Sequence, residues 1–301
     1  MSAFFNLSLL SVLILTSHSA FALDEIPNDE GTLRSENRSR SQYVPPSNIK
    51  IFAGIIYDHF DYKEELRAPL KSTELGGNTG FTLGAEYKLG LGAGANSLKG
   101  KLDYIGGSTA YDGTFMSGAP VGDSHPNKIF NLEGDFVFNL VPNAYTANNW
   151  KGYVGLGTRS WNRGSSGGPG SYSEEYSWLY LPLGIRYETR LSEKLTAAVD
   201  GSLKLMFGGH IKANLSELDS SLNNPEMSLG SQAGYKLQVP LDYQFAEKFH
   251  VVFSPWFEYS AIGKSNSAEV LINGESTGRA VEEPDSKTYQ YGGDLTLAFD
   301  I

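Results

Sequence analysis

The chain has 301 residues, with Gly 34, Tyr 17, Phe 16 and Cys 0, and Lys+Arg 24 against Asp+Glu 34 give a formal net charge of -10. The missing cysteine excludes a disulfide scaffold, a thiolate metal site, a cysteine nucleophile and a lipid-anchor cysteine, and the acidic balance argues against nucleic acid as a partner. Charged residues make up only 19% of the chain while glycine and aromatics are abundant, which turns the reading away from a cytosolic enzyme.

Residues 1–22 read as a secretory signal peptide, with an apolar run from Leu7 to Leu15 and an A-x-A cleavage site at Ala20-Phe21-Ala22. That run is too short to span a bilayer core of about 30 Å, and no later stretch approaches 18 continuous apolar residues. Residues 23–47 are polar and charge-mixed and end near Pro45-Pro46, so they are expected to form a mobile periplasmic leader. Arg34, Arg38 and Arg40 within it read as solvated.

Period-two alternation fills the remainder. From Lys128 to Leu140, Phe130, Leu132, Phe136, Phe138 and Leu140 share one parity, and Asn131, Glu133, Asp135 and Asn139 share the other. The same split recurs near 81–89, 98–106, 152–160, 179–187, 195–207, 229–245, 249–259 and 289–299, after a less regular first strand at 48–58. Short turns at 91–97, 142–148, 191–194 and 246–248 alternate with longer polar segments at 61–78, 112–127, 163–173, 209–226 and 264–286. Short and long ends in turn are the pattern of an all-β, transmembrane, antiparallel up-and-down barrel with long extracellular loops. About ten strands over 48–301 are predicted, in the outer membrane of a Gram-negative bacterium.

A soluble barrel has the same alternation with its apolar parity turned inward, so the direction of that parity decides between the two. Tyr57, Tyr87, Tyr104, Tyr187, Tyr243 and Tyr289 at strand ends suit interfacial girdles and favour the membrane form. The last strand, Gln290 to Leu297, resembles the signal that the barrel-assembly machinery reads. A lumen this narrow pairs its opposite charges across the wall, and Tyr176, Trp178 and Tyr180, inward near the outer end of one strand, are expected to plug it.

Between about 98 and 215 the order of features resembles the omptins, ten-stranded outer-membrane endopeptidases. The likeness rests on Gly106-Gly107, Ser124-His125-Pro126, Leu132-Glu133-Gly134-Asp135-Phe136 and the strand Tyr180 to Glu188. The resemblance implies a pair of aspartates facing an aspartate–histidine pair at the mouth, with a water activated between them. Carried over, Asp112 falls near the first pair and His210 near the second, but Asp112 has no second aspartate beside it and Gly208-Gly209 precede His210. Asp123 and His125 offer another aspartate–histidine pairing, in a different loop. The catalytic pairs are thus incomplete.

Asp58, His59 and Asp61 read as solvated rather than as cation ligands, and Gly164–Gly170 lacks the helix and lysine of a phosphate cradle. In the longest loop, Asn273-Gly274 flanked by alternating residues predicts a projecting hairpin, and Glu275, Glu282, Glu283 and Asp285 make it acidic. The reading is a non-catalytic surface-binding, adhesive or envelope-structural barrel; an omptin-type endopeptidase and a narrow small-solute channel are the alternatives. Expected partners are outer-membrane lipid and lipopolysaccharide, the barrel-assembly machinery and an extracellular ligand, with no cofactor and no metal.

Overall fold

A computed structural model of the chain describes residues 48–89, 96–115, 117–141, 148–168 and 170–301. The signal peptide at 1–22, the leader at 23–47 and most of the turns at 91–97 and 142–148 lie outside the described residues.

Seven long strands come first: β1 (Ile49–Glu64), β2 (Ser72–Leu89), β3 (Asn96–Thr114), β4 (Pro120–Asn139), β5 (Asn148–Arg163), β6 (Glu174–Arg190) and β7 (Leu195–Ala213). A broken stave follows, made of β8 (Glu226–Leu229), β9 (Ala233–Gln238) and β10 (Leu241–Ala246). Then come β11 (Phe249–Ile262), the hairpin strands β12 (Ala268–Ile272) and β13 (Glu275–Val281), and finally β14 (Ser286–Asp300). All neighbours are antiparallel, and β14 returns to β1 in register from Lys50 opposite Asp300 to Glu64 opposite Ser286. The result is a closed barrel of ten staves among the described residues, without an α-helix there. The eighth stave is interrupted near Gly230 and at Pro240, which has no N–H to give to the ladder.

The apolar parity points outward. Ile55 is 64% exposed and Leu297 63% exposed, and with Leu83, Leu156, Ile185 and Phe253 they form an apolar band around the outside, the surface that lipid requires. Tyr87, Trp150, Tyr243 and Phe249 ring the short-turn end, with Trp150 and Tyr187 centroids 4.8 Å apart. Tyr57, Tyr235, Tyr289 and Tyr291 ring the other level, where Tyr259 lies 5.2 Å from Tyr235 and 5.2 Å from Tyr289. Two aromatic girdles bounding an apolar band on a closed antiparallel barrel place the chain in a Gram-negative outer membrane.

Strands of 16 to 20 residues, such as β1 and β4, are longer than the roughly 9–11 that a bilayer needs. The barrel therefore continues past the upper girdle, and its polarity inverts there. On β1 the outward residues Ile51, Ile55 and Tyr57 give way to exposed Asp61 and Lys63, while Phe60 and Tyr62 turn inward and are buried. Water has replaced lipid outside, so the apolar side chains move in. Several expected loops shrink accordingly: the described strands leave only 65–71, 115–119 and 214–225 where 61–78, 112–127 and 209–226 were expected.

Candidate functional site

Three layers fill the barrel. In the membrane-spanning half, Lys101 lies 3.2 Å from Asp103 and 3.3 Å from Asp294, and Lys204 lies 2.9 Å from Glu258. These pairs border a polar cavity of 210 Å³ whose lining runs from Lys50, Lys151 and Ala298 at the short-turn end to Asp103, Tyr180 and Glu258 in mid-barrel. The long inward side chains are opposite in sign and share a narrow space, so they brace the wall.

Above the cavity lies an aromatic layer. Trp161 stacks on Tyr176 at 4.5 Å, meets Tyr62 edge-on at 5.1 Å and lies 5.6 Å from Phe60. Trp178 and Tyr180 point inward from β6 and are buried beside it, Arg159 lying 5.7 Å over Trp178 and Lys204 5.0 Å over Tyr180. Gly157, opposite Tyr180 on β5, leaves room for that ring to lie across the strand; a methyl group there would overlap it. Tyr176, Trp178 and Tyr180 are thus part of a larger packed layer with Ile105, Ile129 and Met206.

The outermost layer, at the mouth, is a buried ion cluster that the sequence reading did not single out. Arg163 donates through Nε to Glu74 and through Nη1 to Glu174 at 2.8 Å, with Glu64 3.5 Å from the same nitrogen. His125 Nδ1 lies 3.1 Å from Glu74 Oε1, and Thr109 donates to Glu74 Oε2 at 2.7 Å. Tyr111 stacks on His125 at 4.9 Å and lies under the Arg163 guanidinium at 5.3 Å. Burial alone would raise the Glu74 carboxyl, but His125, Arg163 and Thr109 outweigh it and hold the group down at about 2. A signal for the cluster was present: Glu64 continues the inward parity of Phe60 and Tyr62, and Arg163 continues that of Arg159 and Trp161.

The candidate catalytic residues are scattered. Asp112 is exposed on the outer face of β3, where Lys71 pairs with it. His210 also faces outward: a bulge at Gly208, with φ of 59°, shifts β7 so that exposed His210 lies opposite Ser177 and Ser228 while Ile211 turns in. Asp123 is exposed and accepts from the Ser166 hydroxyl and, at 2.8 Å, from the Ser124 N–H. His125, two residues along β4, is inward and bonded to Glu74. Asp58, expected to be solvated, is fully buried instead and accepts from Gln290 at 3.0 Å and Asn78 at 3.2 Å. His59 points out from the same strand and stacks on Tyr291 at 4.5 Å, so the two do not share a site. Among the described residues no group of three or more metal-ligating His, Cys, Asp or Glu side chains comes together.

Fold and interior together define an outer-membrane β-barrel with a polar, charged inner half and a packed outer half. No protein-family model matches the chain, and no curated protein matches it. Among solved structures it is similar to the outer membrane protease OmpT from Escherichia coli, at 9% identity over 85% of this chain and 98% of that one, with a TM-score of 0.47. It is also similar to the outer membrane protein OprG from Pseudomonas aeruginosa, at 10% identity over 84% and 96%, with a TM-score of 0.37. The translocator domain of autotransporter NalP from Neisseria meningitidis gives 11% identity over 84% and 89%, with a TM-score of 0.38. Likenesses at this level assign no residue a role.

Proposed function

We propose that the protein is a closed, non-catalytic outer-membrane barrel whose work is done by its external rim, in surface binding, adhesion or support of the envelope. The observation that carries this reading is the packed aromatic layer of Phe60, Tyr62, Trp161, Tyr176 and Trp178, capped by the Arg163 ion cluster, which ends the polar cavity in mid-barrel. Lipid and lipopolysaccharide contact the outer wall, and an extracellular ligand would meet the acidic hairpin and its neighbours. Purified protein in planar bilayers is expected to show no steady conductance; a stable open level would replace this reading with the channel.

One observation favours a second reading, an endopeptidase of omptin type: His125 and Glu74 form a buried histidine–carboxylate pair at the mouth. Glu74 is shared with Arg163, and Asp112 lies on the other face of the wall, which favours a structural pair. Basic peptides incubated with the protein in lipopolysaccharide are expected to remain intact. Cleavage that is lost in His125→Ala would establish the enzyme.

A further inference from the structure

Four carboxyl groups meet at the mouth, from Glu64, Glu74, Glu174 and Glu283, and Arg163 is within ion-pair range of the first three only. Glu283 comes from the loop after β13 and reaches down into the barrel, where it is 5% exposed. Its Oε1 lies 3.1 Å from the Tyr62 hydroxyl and 2.9 Å from the Tyr176 hydroxyl. Those hydroxyls also face Glu64 at 3.4 Å and Glu174 at 2.9 Å. Two phenolic hydrogens cannot serve four contacts to ionised carboxylates, and each contact left without one would set oxygen lone pairs against a negative charge. A proton on Glu283, the carboxyl without a cation, supplies a third hydrogen and takes the negative charge away from the contact that is left without one.

We propose that Glu283 is protonated when docked and acts as a latch, its neutral carboxyl seating the loop of residues 263–285 on the barrel mouth and its ionisation releasing it. This goes beyond the closed-barrel reading and does not depend on what the rim binds. Burial, then the charges of Glu174 and Glu64, push the Glu283 carboxyl well up, against the weaker pull of Arg163. The titratable and charged groups around it are Tyr62 and Glu64 on β1, Arg163 on β5, and Tyr172, Glu174 and Tyr176 in and just before β6; beyond Arg163 the cluster continues to Glu74 on β2 and His125 on β4. On its own segment Glu282 pairs with Lys264 at 2.7 Å, outside the cluster. Because the docked carboxyl titrates above its ordinary range, docking is at full strength below that range. It then weakens as pH rises toward the docked value, by up to about tenfold per pH unit.

The native chain has Cys 0, so two engineered cysteines report the latch cleanly. Ser276→Cys on the hairpin and Ser117→Cys on the β3–β4 turn, spin-labelled in reconstituted protein, give a loop-to-rim distance from pH 5 to pH 9. The expected result is a single short distance at low pH and a growing longer component at high pH, with E283Q holding the short distance throughout. A distance unchanged over the range, or an E283Q profile that shifts like the parent, overturns the latch. Infrared titration of the parent and of E283Q gives a second reading. A protonated-carboxyl C=O band present in the parent, missing from E283Q and fading as the long component grows supports the latch, and the absence of any such difference between the two proteins at pH 5 to 7 overturns it.

Discussion

Arg163 is the cation shared by Glu64, Glu74 and Glu174, and all three carboxyl groups are almost out of contact with water. Arg163→Met leaves those charges buried together without a counter-ion, a change that costs about 3–5 kcal/mol when one partner of a buried pair is removed. The urea midpoint for unfolding of the barrel should fall accordingly; an unchanged midpoint would show that the cluster does not support the wall. Glu74 adds a pH signature. Its carboxyl is held at about 2 against an ordinary value of 4.5, so its contribution is complete above the ordinary value and is lost as pH falls toward 2. Over that window wild type should lose roughly 3 kcal/mol more than Glu74→Gln. Parallel acid limbs in the two proteins would contradict the assignment.

The lower half of every stave was legible because lipid enforces a single rule there: one parity apolar, the other free to carry charge. Beyond the girdle the rule reverses without any break in the hydrogen-bond ladder, and a pattern that loses its outward apolar parity reads as loop. Thus Glu64, Glu74, Glu174 and Glu283 fell in expected loop segments or at their edges, although three of them lie on strands or strand ends. The bulge at Gly208 hid the rest, since one extra residue reverses the facing of His210 and Ile211. The external hairpin was readable because its turn is local chemistry: Asn273 and Gly274 adopt φ of 49° and 83°, the left-handed pair of a type I′ turn. A β-branched residue at Gly274 is strained by about 1–2 kcal/mol. Gly274→Val should therefore speed amide exchange within β12 and β13 while leaving exchange in β1 and β14 unchanged. Faster exchange across the barrel would mean that the hairpin braces the wall rather than resting on it.

At the scale of the molecule, the barrel is two solvents' worth of the same sheet. Inside the membrane its exterior is apolar and its interior polar and charged; outside the membrane its exterior is polar and its interior packed with rings. The polar cavity lies toward the short-turn, periplasmic end and stops beneath Tyr180, so accessibility of the lumen should be one-sided. Ser202 lines the cavity, and the native chain has Cys 0, so Ser202→Cys gives a single reactive thiol there. In proteoliposomes of known orientation, a charged, membrane-impermeant thiol reagent should label Ser202→Cys from the periplasmic side and not from the external side. Ser117→Cys, on the outer rim, should show the opposite sidedness and controls for orientation. Replacing Trp161 and Tyr176 together by alanine removes the stacked pair at the centre of the aromatic layer. That variant should admit the reagent to Ser202→Cys from outside, and labelling from both sides in the unaltered barrel would mean that the rings do not close the path.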